Sequence, residues 1–244
     1  MKTLVLSMWN GVGGYFEECS KIWRRFGYDV QNVWPDGFPK YSHALKIKRV
    51  FETVRANQNE FTHVLVIDAF DVVVTASLAE VEKRFERMGH PWIFNAERSC
   101  WPDSELENQY PACETPWRFL NAGCFMAEIP YFLEAGQRHG FESIDVWGDD
   151  QRFYTRLFLD HPGLIRLDHR CELFYTLFSP DYIGFDYVIS EGRVENSLTG
   201  TQPLVIHGNG GVDQKRNIEP FIEYFLKVQP ESVSVNGDTQ KEKP

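Results

Sequence analysis

Short apolar runs alternate with longer stretches of helical spacing through the first third of the chain. The runs at residues 4–6, 28–33 and 64–67 contain β-branched side chains and predict buried strands. The stretches at residues 15–26 and 44–56 carry apolar side chains three and four positions apart and predict helices. Strands that alternate with helices are typical of a parallel sheet flanked by helices. This part of the chain therefore predicts an α/β fold.

The remaining pattern continues the alternation. It predicts helices at residues 78–88, 130–141, 152–159 and 218–228, and strands at residues 92–96, 164–168, 185–189 and 204–206. Residues 119–126 predict a strand interrupted by a bend at small side chains, where a ligand could approach the backbone. Residues 97–118 predict a long irregular loop with several prolines, and loops of this length are often functional.

The chain contains no internal repeat and no clear linker, which predicts one domain over residues 1–230. Residues 231–244 are polar and lack aromatic side chains, which predicts a disordered tail. The first seven residues lack the features of a signal peptide, no apolar run is long enough to span a membrane, and the five cysteines are dispersed without metal-binding spacing. These observations predict a cytoplasmic protein in a reducing compartment.

Composition narrows the class of partner. The net charge of −10 argues against a nucleic-acid-binding surface, which needs a basic face. Aromatic residues make up 15% of the chain, enough for a stacking surface for carbohydrate or bases in addition to a core. An acidic protein that binds a phosphate-bearing substrate is helped by a divalent cation, because carboxylates and phosphates repel each other.

Two aspartates, Asp68 and Asp71, interrupt the otherwise apolar residues 64–74. A carboxylate is almost never fully buried unless it is paired or bound to a cation. Side chains alternate faces along a strand, so these two carboxylates can converge on one ion only if the chain turns just after Asp68. One interpretation is a divalent-cation site at a strand end, where open α/β sheets bind ligands. The other is that Asp68 ends a strand and Asp71 caps a turn.

Two further polar clusters lie next to predicted elements. His207 ends a strand and is followed by a Gly-Asn-Gly-Gly loop whose backbone amides could hold a phosphate; the alternative is a structural histidine. Two carboxylates and an imidazole suit Mn²⁺ better than Mg²⁺. Asp149 and Asp150 precede a helix, where they are either an N-cap and a first-turn acid, or a pair that binds sugar hydroxyls or acts as a base.

Taken together, these motifs give the chain a family resemblance. It resembles the glycosyltransferase domain of the procollagen lysyl hydroxylases and the related collagen glucosyl- and galactosyltransferases. The resemblance rests on six motifs in the family's order, spread over about residues 1–220: 67–72 (IDAFDV), 96–102 (AERSCWP), 118–123 (RFLNAG), 149–160 (DDQRFYTRLFLD), 167–170 (LDHR) and 206–210 (IHGNG).

The resemblance implies a glycosyltransferase A type fold, a Rossmann-like mixed, mainly parallel sheet flanked by helices, that holds Mn²⁺ against the diphosphate of a UDP-sugar. It implies that Asp68, Asp71 and His207 are metal ligands and that Asp149 and Asp150 take part in transfer. The residues it assigns to the nucleotide-sugar are Ser7, Met8, Trp9, Lys46, Asp68, Ala69, Phe70, Trp101, Asn121, Asn209, Gly210 and Lys215.

The chain departs from the family at two of these positions. Phe70 stands where the family usually has a tyrosine stacked on uracil, so stacking is retained and the hydroxyl is lost. The family follows its His-Gly-Asn-Gly with Pro-Thr-Lys, whose lysine meets the phosphates, whereas residues 211–215 read Gly-Val-Asp-Gln-Lys. Either Lys215 reaches back to the diphosphate, or the diphosphate depends on Mn²⁺ and Lys46.

The implied function is transfer of glucose or galactose from a UDP-sugar to an acceptor hydroxyl, such as hydroxylysine or glycosylated hydroxylysine of a collagen-like protein. One alternative is a module that binds sugar nucleotides or glycans without catalysis. Another is a transferase for a different acceptor, such as a glycan or a modified nucleic-acid base. The acceptor, the hexose and the oligomeric state stay open at the level of sequence.

Overall fold

The computed structural model describes residues 1–11, 13–38, 42–178, 186–211 and 214–228, except for the side chains of Gln214 and Lys215. The predicted tail at 231–244 and the start of the predicted strand at Phe185 lie outside these residues. The helices are α1 (Phe16–Arg25), α2 (His43–Asn57), α3 (Leu78–Met88), α4 (Ile129–Arg138), α5 (Asp150–Asp160) and α6 (Glu219–Phe225). The strands are β1 (Thr3–Ser7), β2 (Val30–Asn32), β3 (His63–Ile67), β4 (Val72–Val74), β5 (Trp92–Glu97), β6 (Phe119–Glu128), β7 (Arg166–Leu167), β8 (Phe174–Thr176), β9 (Tyr187–Ser190), β10 (Arg193–Asn196) and β11 (Val205–His207).

The central sheet has six strands in the order β2-β1-β3-β6-β5-β7. Its strand pairs are parallel except at β6, which is antiparallel to both β3 and β5. Helix α2 packs against both α4 and α5, and aromatic side chains of β5 and β6 meet those of α4 and α5, as in the contact of Trp92 with Phe132 and Tyr154. The predicted mixed, mainly parallel α/β sheet flanked by helices is confirmed.

Helix α3 has the same bounds as its prediction because both of its ends are fixed locally. Ser77 caps the N-terminus by accepting a hydrogen bond from the Glu80 amide, and the Glu80 carboxylate accepts one from the Ser77 amide in return. The C-terminus ends at Gly89, whose φ of 65° is the left-handed conformation that glycine adopts without steric cost. These capping residues can be recognised in the sequence because each interacts only with residues close to it along the chain.

A second, three-stranded sheet, in the order β4-β11-β8, begins where the chain leaves the central sheet. Strand β3 ends at Ile67 in the central sheet and β4 begins at Val72 in the second sheet. Asp68 and Asp71 therefore lie in the four-residue connection between two sheets. The predicted turn just after Asp68 is confirmed. Strand β4 pairs antiparallel with β11 so that Val72 lies opposite His207.

The irregular part of the central sheet lies where the sequence predicts it. Strand β6 runs from Phe119 to Glu128, but its register against β5 shifts: Phe94 lies opposite Phe125 and Asn95 opposite Asn121, so residues 122–124 of β6 have no partner in β5. The predicted interruption at the small side chains within residues 119–126 is therefore confirmed, as a bulge in β6. Strands β4, β8 and β10, each three or four residues long, were not predicted as separate strands. None of the helices within the described ranges is both long enough and apolar enough to cross a bilayer. The compartment stays a prediction.

Candidate functional site

Asp68, Asp71 and His207 form a compact ligand set at the junction of the two sheets. The His207 Nε2 atom lies 3.6 Å from Asp68 Oδ2 and 3.6 Å from Asp71 Oδ1. Asp71 and His207 are buried, whereas the Asp68 side chain is 31% exposed and gives the site access to solvent. Ligand atoms about 2.1 Å from a shared divalent ion are about 3.0–3.6 Å apart when they subtend angles of 90–120°. The spacing around His207 is close to this range.

The orientation of His207 is fixed by Asn121 of β6. The Asn121 amide donates through Nδ2 to the Glu97 carboxylate (3.1 Å), and its Oδ1 accepts from the Gly123 amide (3.0 Å), which assigns nitrogen and oxygen of the side chain. Oδ1 is also 3.1 Å from His207 Nδ1, and this acceptor assigns the ring proton to Nδ1, to which the Asn95 side chain is the more distant neighbour at 3.4 Å. In this tautomer the lone pair of Nε2 points toward the two carboxylates. A shared cation stabilises this arrangement, so the residues fit a divalent metal ion.

Gly123 allows these ligands to approach β6. A Cβ atom at this position would lie 2.2 Å from His207 Cε1 and 2.8 Å from Asp68 Oδ2, both well inside van der Waals contact. The small residues that predicted an irregular strand therefore also allow close packing of two ligand side chains, at the point where residues 122–124 of β6 have no partner in β5.

We expect Gly123→Ala to weaken metal binding by about 10- to 100-fold, because the methyl group must displace His207 or Asp68. Titration of Mn²⁺ by calorimetry measures the effect. The matched control is Gly136→Ala in α4, whose Cβ would crowd Phe51 at a similar 2.2 Å. That control should lower stability and retain metal affinity; equal loss of affinity in both variants would contradict the assignment.

A buried lysine connects the ligand set to the first turn of α5. Lys46 Nζ lies 2.8 Å from Asp68 Oδ1 and 2.8 Å from Asp150 Oδ2, and it donates to the Ala122 carbonyl at 3.3 Å. The side chains of Lys46 and Asp150 are only 5% and 6% exposed. Burial raises the pKa of Asp150, and the Lys46 charge opposes that rise. Two residues 104 positions apart thus form one charged unit beside the ligand set.

Asp149 and Asp150 differ in their surroundings. Asp149 is the N-cap of α5, and its Oδ1 accepts a hydrogen bond from the Arg152 amide at 2.8 Å. Asp150 is the first residue of the helix and faces inward to Lys46, with His43 Nδ1 3.9 Å away. The capping interpretation therefore describes Asp149, and the buried acid beside the ligand set is Asp150.

Glu97 is a functional candidate that is not among the site residues predicted from the sequence. Its buried carboxylate accepts hydrogen bonds from Asn121 Nδ2 (3.1 Å), Gln151 Nε2 (2.6 Å) and Asn209 Nδ2 (2.9 Å). It thereby ties together β6, α5 and the loop after His207. The sequence contained an indication of this role, because Glu97 lies in the family motif at residues 96–102.

Burial raises the pKa of Glu97 from 4.5 to about 7, against the opposing effect of its three amide donors. The folded protein then binds more protons than the unfolded chain between pH 4.5 and 7, so stability falls as the pH rises through this window, by about 3 kcal/mol in total. We expect this slope in urea unfolding of metal-free protein at pH 5 to 8. Glu97→Gln should flatten it, and an unchanged slope would refute the prediction. Asp150 and Asp168, whose pKa values are also raised by burial, contribute with the same sign.

Aromatic rings lie close together around Phe70, within the Asp68–Asp71 connection. Phe70 lies over the glycine-rich loop: the Tyr15 amide donates to its carbonyl at 3.0 Å, and a Cβ on Gly14 would be 3.1 Å from its Cβ. The ring of Phe16 lies 6.2 Å from Phe70 and 4.9 Å from Trp9. The partly exposed rings of Trp9 and Phe70 are thus brought together, as the predicted nucleotide side requires.

The backbone around Ser7 borders the same region. Asn32 fixes the adjacent Trp9 through hydrogen bonds to its amide (3.1 Å) and carbonyl (2.9 Å). The Ser7 hydroxyl is buried and has no hydrogen-bond partner among the described residues. Met8 and Ala69 are buried, so their side chains belong to the core, and only their backbone is available to a ligand.

The loop after His207 is held at Asn209. Its Oδ1 accepts from the Phe178 amide at 3.0 Å, and its Nδ2 donates to Glu97. Gly210 is exposed with a φ of 112°. The side chain of Lys215 lies outside the described residues, so its predicted phosphate contact stays a prediction.

Two tryptophans flank the start of α5 and are exposed. Trp101 is 55% and Trp147 is 60% exposed, and they are the exposed large aromatic side chains within the described ranges. Gln151 donates to the Trp101 carbonyl at 2.9 Å, and the Trp147 ring lies 5.6 Å from Phe38. Trp101 is among the residues predicted from the sequence, whereas Trp147, two residues before Asp149, is not.

The chain is similar in sequence to a protein family and to several known proteins. Residues 36–231 match the family model described as the PLOD GT domain. Procollagen-lysine,2-oxoglutarate 5-dioxygenase 2 of Homo sapiens is 31% identical over 95% of this chain and 32% of its own length. The human multifunctional procollagen lysine hydroxylase and glycosyltransferase LH3 is 35% identical over 60% of this chain and 20% of its own length. An uncharacterised protein of Acanthamoeba polyphaga mimivirus is 29% identical over 71% of this chain and 36% of its length.

Each of these relatives is much longer than the part that it shares with this chain. A solved structure of similar extent is a glycosyltransferase involved in glycosylation of the major capsid of PBCV-1. It covers 93% of this chain and 100% of its own, with a TM-score of 0.53 and 14% identity, and it supports the glycosyltransferase A type fold. The chain belongs to the family of PLOD glycosyltransferase domains.

Proposed function

We propose that the protein is a divalent-metal-dependent hexosyltransferase that uses a UDP-sugar, with glucose or galactose as the transferred sugar. The observation that carries this proposal is the convergence of Asp68, Asp71 and His207, with ligand atoms all within 4.8 Å of one another, at a strand end of a glycosyltransferase fold. Membership in the family supports the reaction class, and the ligand set supports a metal-assisted mechanism.

Mn²⁺ is the proposed ion, because imidazole favours it over Mg²⁺, and when bound it supplies Lewis-acid stabilisation of the charge on the UDP leaving group. Asp68, Asp71 and His207 would hold it. Lys46, beside Asp68, adds a positive charge near the same diphosphate. Phe70, with Trp9 nearby, is proposed to stack on uracil, and the unpartnered Ser7 hydroxyl is a candidate donor to the nucleotide.

The acceptor is proposed to enter beside α5, between Trp101 and Trp147. Exposed indoles bind the apolar faces of sugars or peptides, and the raised pKa of Asp150 suits a base that orients or deprotonates a hydroxyl. Asp149 would contribute mainly as the cap that positions Asp150. Hydroxylysine of a collagen-like protein, bare or glycosylated, is the acceptor that the relatives' names suggest.

The proposal is tested with a panel of UDP-sugars in which release of UDP is measured with Mn²⁺ and with EDTA. We expect Mn²⁺-dependent hydrolysis of UDP-glucose or UDP-galactose, and transfer once an acceptor is added. Binding of a UDP-sugar without release of UDP would favour a sugar-nucleotide-binding module instead, a candidate that the altered phosphate loop at residues 211–215 supports.

A further inference from the structure

A cavity of about 240 Å³ lies between α3, β10 and the segment 202–204 and is lined by positive side chains. Lys83, Arg84 and Arg87 reach it from α3, and Arg193 reaches it from β10. Its apolar lining includes Leu204. We call it the α3–β10 cavity.

The charge of the cavity is opposite to that of the chain. The protein carries a net charge of −10, whereas four cationic side chains and one carboxylate, Glu80, line this cavity. The Glu80 carboxylate is engaged in the cap of α3, where Oε2 accepts from the Ser77 amide at 3.3 Å. The cavity is therefore a local positive region on an acidic protein.

Most of the donors in the cavity are left without an acidic partner. Arg84 donates through Nη1 to the carbonyls of Glu172 and Gln202, and Arg193 donates to the Gln202 side chain at 3.3 Å. Lys83 and Arg87 form no hydrogen bond or salt bridge with another residue in the described ranges. Guanidinium groups from two elements thus remain available to one ligand.

The helix alone does not account for this cluster. The helix dipole favours Arg87, which lies in the last turn of α3, but Arg193 comes from a different element. Arg84 is partly buried, and desolvation, followed by the nearby charge of Arg87, lowers its pKa. The carboxylates of Glu172, Asp168 and Glu80 oppose this lowering, and a bound anion would act in the same direction.

We propose that the α3–β10 cavity binds a tetrahedral oxyanion, either free phosphate or the phosphate group of a monoester. Two or more guanidinium groups and an ammonium group match the several acceptor oxygens of a dianion, whereas a single carboxylate would neutralise only one of the charges. This site is separate from the metal ligands. Thr75 and Leu204 of the cavity lie at the ends of β4 and β11 opposite to Asp71 and His207, which are four and three residues away, or about 10–13 Å along the strands.

The experiment measures binding of inorganic phosphate and of phenyl phosphate to metal-free protein by calorimetry, in EDTA and at constant ionic strength. Without a metal ion, the acidic residues around Asp68 repel phosphate, so the titration reports on the cavity. The test variant is Arg87→Gln/Arg193→Gln, which changes two exposed side chains. The control variant, Lys21→Gln/Arg156→Gln, removes the same charge from exposed positions on α1 and α5.

We expect saturable binding that is at least about tenfold weaker in the test variant and unchanged in the control. Tighter binding of phenyl phosphate would identify a monoester with an apolar group, which the lining around Leu204 would accommodate, and equal binding would identify the free ion. Absence of binding to the unmodified protein, or equal weakening in both variants, would overturn the proposal. The result does not depend on the proposed transferase activity.

Discussion

Mn²⁺ affinity is expected to fall about 100-fold or more when Asp68 is replaced by alanine. Asp68 supplies one of the ligand atoms around His207, and it is the partly exposed member through which the site meets solvent. The loss of one carboxylate leaves Asp71 and His207 as a two-ligand set. Binding of UDP in the presence of Mn²⁺ should fall with it, because the ion bridges acidic side chains and diphosphate in the proposed site. Calorimetric titration with Mn²⁺, and then with UDP, measures both losses.

Asp160→Ala is the matched control. This aspartate is exposed at the C-terminal end of α5, where a negative charge opposes the helix dipole, so its removal should not lower stability. The control should bind Mn²⁺ as the unmodified protein does. Unchanged Mn²⁺ affinity in Asp68→Ala would remove Asp68 from the ligand set and leave the acids as turn-forming residues.

The second large effect concerns Lys46. Replacing it with methionine preserves most of the volume but leaves the buried Asp150 carboxylate without its 2.8 Å partner. Breaking a buried ion pair from one side costs about 3–5 kcal/mol, and we expect a loss of this size in the free energy of unfolding at pH 7. The pKa of Asp150 is already raised by burial, and in this variant the lysine charge that opposes the rise is gone. The folded state then favours the protonated acid, so the loss should be larger at pH 8 than at pH 5.

The double variant Lys46→Met/Asp150→Asn tests the origin of that loss. It removes both buried charges, and we expect it to recover most of the stability while transfer activity stays absent. Urea unfolding of the unmodified protein, the two single variants and the double variant completes the cycle. If Lys46→Met is as stable as the unmodified protein, or if Asp150→Asn restores nothing, the pair does not carry the energy assigned to it.

The order of elements was predictable because periodicity and helix caps depend on neighbouring residues. The alternation that predicted an α/β fold, the bounds of α3 and the turn after Asp68 are all of this kind. The turn after Asp68 was predicted from two facts: side chains alternate along a strand, and burial of an unpaired acid is costly. The antiparallel direction of β6 was not predictable, because strand direction depends on which partners a strand finds.

The surroundings of the ligand set could not be predicted from local patterns. Glu97 is hydrogen-bonded to Asn209, 112 positions away, and Lys46 is paired with Asp150 across 104 positions. A glycine in a strand suggests a bulge or a close approach; Gly123 lies within the bulge of β6, and only the positions of His207 and Asp68 show that it also allows a close approach. The cations of the α3–β10 cavity likewise come from separate elements.

The sequence by itself determined the α/β class, the family motifs, and the candidacy of Asp68, Asp71 and His207. Each strand, helix or motif that supports these conclusions consists of residues that are close together along the chain. The tertiary structure alone decided that Asp149 caps while Asp150 is buried against Lys46, that Glu97 holds three elements together, and that the two acids of the connection reach His207. Those outcomes depend on which distant side chains share a low-dielectric interior, where each charge or polar group needs a partner that only the folded chain supplies.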